Sequence, residues 1–138
     1  MHRGFFLALV LLAPVLLATV SVAHADDCAD AQTQTDMNIC ADKAYRKADG
    51  ELNALYTKIK QRLAGNAETT KQLVAAQRAW IAFRDAECTF AASGVSGGSI
   101  YPTVYAGCLE DITRARVEDL KTFLSCQEGD LSCPVPPH

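Results

Sequence analysis

The stretch Asp36–Leu63, DMNICADKAYRKADGELNALYTKIKQRL, decides the fold. Its apolar positions are Met37, Ala41, Ala44, Tyr45, Ala48, Leu52, Leu55, Tyr56, Ile59 and Leu63. They recur at three- and four-residue steps, which draws one continuous stripe along an α-helix and no strand alternation. Thr35 is the expected N-cap, since its hydroxyl can accept from a free first-turn amide. Gly50 inside the run costs about 1 kcal/mol relative to alanine, so the helix needs tertiary packing to persist. Gly65-Asn66 closes it with residues tolerant of positive φ just beyond the last turn.

The same period continues outward. A second helix is expected from about Glu68 to Ala92, with Leu73, Ala76, Trp80, Phe83, Cys88 and Ala91 on its apolar stripe and Gln77, Arg84 and Glu87 beside it. A third is expected from Pro102 or Val104 to Leu124, where Pro102 suits a first helical turn. The connection at Gly65 is short, and short links join antiparallel neighbours. The fold class expected is all-α: an elongated antiparallel three-helix bundle or hairpin stapled by disulfides.

Before the first helix, Gly4 to Ala23 is almost wholly apolar and ends in Ala23-His24-Ala25, a small-x-small cleavage pattern. Residues 1–25 therefore read as a signal peptide, with Asp26 as the mature N-terminus. Residues 26–125 form the helical domain, and 126–138 form a disulfide-closed loop with a loose Pro-rich end, Pro134–His138. A periplasmic or secreted location follows, with no membrane attachment after cleavage. Of the 13 basic groups, the leader takes only Arg3, and it takes none of the 16 acidic ones, leaving a net charge near −4. Such a chain is a poor partner for nucleic acid or an anionic membrane and a better one for a basic protein.

Six cysteines in an exported chain read as a disulfide framework. Cys126 lies at the far end of the third helix from Cys108, about 27 Å away at 1.5 Å per residue. A disulfide needs Cα atoms within about 7 Å, so Cys126 pairs with Cys133. Cys28, Cys40, Cys88 and Cys108 share the opposite end. Cys28–Cys40 with Cys88–Cys108 is the most local pairing, and Cys28–Cys108 with Cys40–Cys88 is its rival. No Cys-x-x-Cys occurs, so neither a redox dithiol nor a zinc knuckle is indicated.

The histidines are His2, His24 and His138, at the leader and the last position. A core without histidine has no Ser-His or Cys-His nucleophile and lacks the commonest metal ligand. No phosphate-cradling or calcium loop occurs. The acids Asp85 and Glu87, and those of the third helix, read as solvated or arginine-paired side chains, not a facing glycosidase pair. The expectation is a protein without enzymatic activity, metal or cofactor. Arg84, one turn from both Trp80 and Cys88, reads as an internal arginine meeting a carboxylate of another helix, with Gln77 as a second structural polar residue. Asn38 and Asn53 read as hydrogen-bond partners beside the first stripe. The binding candidate is the loop Ser93–Tyr101, anchored between Cys88 and Cys108. Ser93, Ser96 and Ser99 offer hydroxyls, Gly97 and Gly98 adaptability, and Tyr101 rigid contact area. Asp85 and Glu87 are the acids nearest to it.

Several of these residues also form a pattern. Thr33-Gln34, Met37-Asn38 and Cys40 are followed by Ala48-Asp49, Leu52-Asn53 and Tyr56. Gln77, Trp80, Arg84, Asp85 and Cys88 follow in turn, then Gly97-Gly98-Ser99-Ile100, Cys108 and Thr113-x-x-Arg116. Over about Cys28–Leu124 the chain resembles the LprI-type lysozyme inhibitor domain. The resemblance implies an exported bacterial protein whose partner is c-type lysozyme. It differs from the lipid-anchored founding type in lacking an anchor signal, and the Cys126–Cys133 segment looks like an addition to the core. The alternative on the same fold is a periplasmic module binding another envelope protein or a cell-wall component.

Overall fold

The structure is a computed structural model that describes residues 28–137. The signal-peptide reading falls on residues outside the described ones. Helix α1 is Gln34–Arg62, α2 is Ala67–Ala91 and α3 is Tyr101–Leu124, with a single 3-10 turn at Ser93–Val95 between α2 and α3. The described residues contain no strand.

Helix α1 begins two residues before the sequence expectation, and its N-cap is Thr33 in place of Thr35. Thr33 and Asp36 form a reciprocal capping box. The Thr33 hydroxyl accepts from the Asp36 amide at 3.1 Å, and the Asp36 carboxylate accepts from the Thr33 amide at 3.2 Å. Asp36 thereby satisfies an orphan donor that Thr35 as cap would leave unpaired. The turn to α2 runs through Gly65 at φ +94°, which only glycine adopts without strain. Asn66 caps α2 by accepting from the Thr69 amide at 3.1 Å.

The up-down-up order sets α1 parallel to α3, and these two form the most extensive helix pair, with α2 laid antiparallel against α3. Leu52 and Ile59 of α1, with its C-cap residue Leu63, meet Val117 and Leu120 of α3 in one core cluster. Leu73, Trp80 and Phe123 pack around it. Each fully buried aliphatic side chain contributes about 1.5–3 kcal/mol. This core occupies the end where α1 and α3 finish.

Two expectations change here. The Pro-rich end is not loose throughout: Val135 is 2% exposed and belongs to the core cluster. Closure of Cys126–Cys133 turns the chain back, so that Val135 covers apolar surface left by α1 and α3. The stripe of α2 is also rotated from the one expected. Gln77, Arg84 and Cys88 are buried, while Phe83 is 57% exposed. Polar side chains take the inward positions because the bundle supplies partners for them.

The opposite end is built differently. Its buried apolar residues are mostly small: Ala48, Ala92, Ala106 and Leu109. Covalent bonds compensate, with Cys28 joined to Cys40 and Cys88 to Cys108, the local arrangement. A polar network adds to them. Asn38 Oδ1 accepts from the Thr103 hydroxyl at 2.6 Å and from Gln34 Nε2 at 3.0 Å, tying the first turns of α1 and α3 together.

Candidate functional site

The disulfide-stapled end carries the Ser93–Tyr101 segment, and its sequence explains its shape. It is a chain of tight turns. The Ser96 amide donates to the Ser93 carbonyl, Gly98 to Val95 at 3.0 Å, and Tyr101 to Gly98 at 3.1 Å. Gly97 sits at φ +77°, and a Cβ on Gly98 would stand 3.1 Å from the Val95 carbonyl oxygen. The positive φ makes glycine the unstrained choice at position 97, and the close carbonyl makes position 98 tight for any side chain. Asn38 Nδ2 donates to the Ser99 carbonyl at 3.1 Å and ties the loop to α1. With Cys88–Cys108 bridging its two flanking helices, the loop is held in one shape although it is exposed.

Ser93, Ser96, Gly97, Gly98 and Ser99 are all exposed. Tyr101 is half-buried, its ring stacked on that of Tyr105 with centroids 5.7 Å apart and planes 10° from parallel. Exposed apolar side chains gather at the same end. Phe90 at the close of α2 is 76% exposed, Ile39 in the first turns of α1 is 62% exposed, and Ile100 at the loop rim is exposed as well. Phe90 and Ile39 are missing from the sequence-based site. Both lie off the stripes of their helices, which was the available signal: large apolar residues on a face that cannot reach the core.

Asp85 and Glu87 separate in the structure. Glu87 is exposed. Asp85 is engaged, because its Oδ1 accepts from Arg84 Nε at 2.9 Å and lies 2.8 Å from Arg84 Nη2. Arg84 is the centre of a buried polar cluster one turn before the Cys88–Cys108 bridge. Its side chain is 8% exposed, its Nη1 lies 3.5 Å from Asp49 on α1, and its guanidinium lies over the rings of Trp80 at 5.1 Å and Tyr45 at 5.5 Å. Arg116 of α3 approaches the same Trp80 ring at 6.0 Å, and its Nε donates to Gln77 Oε1 at 3.4 Å. Burial raises the Tyr45 hydroxyl above its ordinary pKa, with the Arg84 charge opposing that shift. The cluster locks α1, α2 and α3 together, and the Arg84 charge is paired with carboxylates of α1 and α2. The arrangement suits recognition by a rigid surface more than it suits proton transfer.

Comparison with known proteins matches the sequence of this chain to a family. The family model described as "Lysozyme inhibitor LprI" matches residues 25–120. That span includes Arg84 and its partners, the Cys28–Cys40 and Cys88–Cys108 bridges and the whole loop, and it ends before Cys126. An uncharacterized protein of Rhizobium meliloti (strain 1021) is 37% identical over 130 residues, covering 83% of this chain and 94% of the relative. No solved structure matches. The chain belongs to the LprI lysozyme inhibitor family.

Proposed function

We propose that this chain is an exported bacterial protein that binds c-type lysozyme and inhibits it stoichiometrically through its disulfide-stapled end. Contact is made by the Ser93–Tyr101 loop, with Glu87 and the outer oxygen of Asp85 at its edge. The observation that carries the reading is the coincidence, inside the family match, of an exposed loop held in one conformation with exposed apolar side chains beside it. A loop already ordered loses little entropy on binding. Exposed apolar groups rimmed by polar ones mark protein contact surfaces. The acidic balance of the chain favours a basic partner in both encounter rate and rim contacts. Three disulfides fit an oxidising compartment outside the cytoplasm. Inhibition of this kind needs no catalytic group on the inhibitor.

The test is co-elution of the purified, oxidised protein with c-type lysozyme at moderate salt, repeated with a variant lacking Ser96–Ser99. Complex formation by the parent and its loss in the folded deletion variant are expected. Undiminished binding by that variant would move the contact surface elsewhere. Failure of the parent to bind would favour a different envelope partner.

A further inference from the structure

Beside the loop, between the first turns of α1 and α3, lies a pocket of about 330 Å³ lined by Tyr45, Tyr101, Tyr105, Asp42 and Leu109. That volume is enough to take one large side chain or a small ligand. The three tyrosine hydroxyls have no hydrogen-bond partner among the described residues, and the rings turn largely apolar walls to the cavity. Asp42 is the one carboxylate among its lining residues. Its Oδ2 is engaged by Arg46 at 2.6 Å, on a side chain that is 75% exposed. The Asp42 side chain is itself 49% exposed.

We propose that this pocket receives a cationic side chain of the protein partner, an arginine foremost, with its guanidinium against the tyrosine rings and its charge met by Asp42. The inference rests on the reading that the loop end contacts a basic protein, and it names the group that would anchor the contact. Three features carry it. Tyrosine faces attract cations within about 6 Å of the ring centre. The fold already shows this pairing, since Arg84 lies over Tyr45 at 5.5 Å. The charge is complementary: Asp42 is the one charged residue among those lining the pocket.

The same inventory disfavours a sugar. A glycan subsite needs amide donors and acceptors fanned around the ring hydroxyls. The amide of Asn38, the pocket's other polar residue, is committed at both ends to Ser99, Thr103 and Gln34. What remains is π faces, tyrosine hydroxyls that donate as well as accept, and one acceptor-only carboxylate, and it is the carboxylate that suits a donor-rich cation.

Two arms test the proposal on the purified, oxidised protein. In the first, affinity for c-type lysozyme is measured for the parent and for Tyr101→Ala, Tyr105→Phe, Asp42→Asn and Asp42→Lys, each checked for an unchanged helical spectrum. Tyr101→Ala and Asp42→Lys should each weaken binding about ten-fold, as truncation of an anchor does. Asp42→Asn should lose less, with a deficit that shrinks as salt rises, and Tyr105→Phe, which keeps the ring but removes a hydroxyl acceptor, should lose less than Tyr101→Ala. Unchanged affinity in folded Tyr101→Ala and Asp42→Lys would overturn the pocket while leaving lysozyme binding intact. The second arm does not depend on lysozyme. N-acetyl-arginine-N-methylamide and chitotriose are titrated separately while the tyrosine ring resonances are followed by NMR. Ring shifts with the arginine probe that disappear in Asp42→Lys support the proposal even if lysozyme is not the partner. Shifts with chitotriose alone, or with neither probe, overturn it.

Discussion

The Arg84 cluster supports a sharp prediction, because the structure makes the two halves of its ion pairs unequal. The Arg84 side chain is 8% exposed, whereas those of Asp49 and Asp85 are 36% and 48% exposed. Removing both carboxylate charges by Asp49→Asn with Asp85→Asn strands a buried guanidinium. Breaking a buried pair in this way costs about 3–5 kcal/mol. The Trp80 and Tyr45 faces and the two amide oxygens remain, so the double variant should lose about 2–3 kcal/mol. Arg84→Met leaves the opposite situation. Its stem still packs, and the two carboxylates rehydrate at the surface. Only weak, partly exposed pairs and the ring contacts are lost, about 1 kcal/mol. In a domain of this size each kcal/mol moves the melting temperature by about 4 °C. The double asparagine variant should therefore melt about 8–12 °C below the parent, and Arg84→Met about 4 °C below. Urea and thermal unfolding of both variants, and of the triple variant, provide the assay. In the triple variant Arg84→Met should restore part of the loss, a coupling of opposite sign. If Arg84→Met alone costs as much as the double asparagine variant, the guanidinium is not acting as a buried charge and the reasoning fails.

Other predictions concern the two ends of the bundle. Replacing Cys88 and Cys108 by alanine opens a loop with a sequence separation of 20. The chain-entropy treatment puts that at about 3 kcal/mol; thermal unfolding should show it, together with weakened lysozyme binding as the loop loses its anchor. Val135→Ala should cost about 1–2 kcal/mol from lost methyl burial, read by urea denaturation, whereas a loose tail would give no change. Above neutral pH, Tyr45 binds its proton more tightly folded than unfolded. Stability is therefore held up to the unfolded tyrosine pKa of about 10 and lost as pH rises through the higher folded value. Tyr45→Phe should flatten that alkaline loss in melts taken against pH.

The helices were legible because their stripes are long. The period of Leu52, Ile59 and Leu63 along the first stripe is carried by aliphatic residues with no competing reading. The α2 stripe was less legible. Its inward positions hold Gln77 and Arg84, which a hydrophobic template rejects, and its period admits Phe83, which the structure places outside. The sequence did point to Arg84 as an internal arginine meeting a carboxylate of another helix; which partners Arg84 and Gln77 take, Asp49 and Arg116, has no local signature. The same holds for Val135, whose burial depends on a turn closed by Cys126–Cys133 and on surface contributed by α1 and α3. The loop was legible from its glycines and flanking cysteines. Its tie to Asn38 was not, nor was the convergence of Tyr45, Tyr101 and Tyr105, which comes from the parallel packing of α1 beside α3.

The central claim is tested most directly by a turbidity assay. Purified, oxidised protein is titrated into c-type lysozyme acting on bacterial cell walls. The account predicts loss of lysis that saturates near one inhibitor per enzyme. Full lysis at a large molar excess of the folded, disulfide-bonded protein would contradict it.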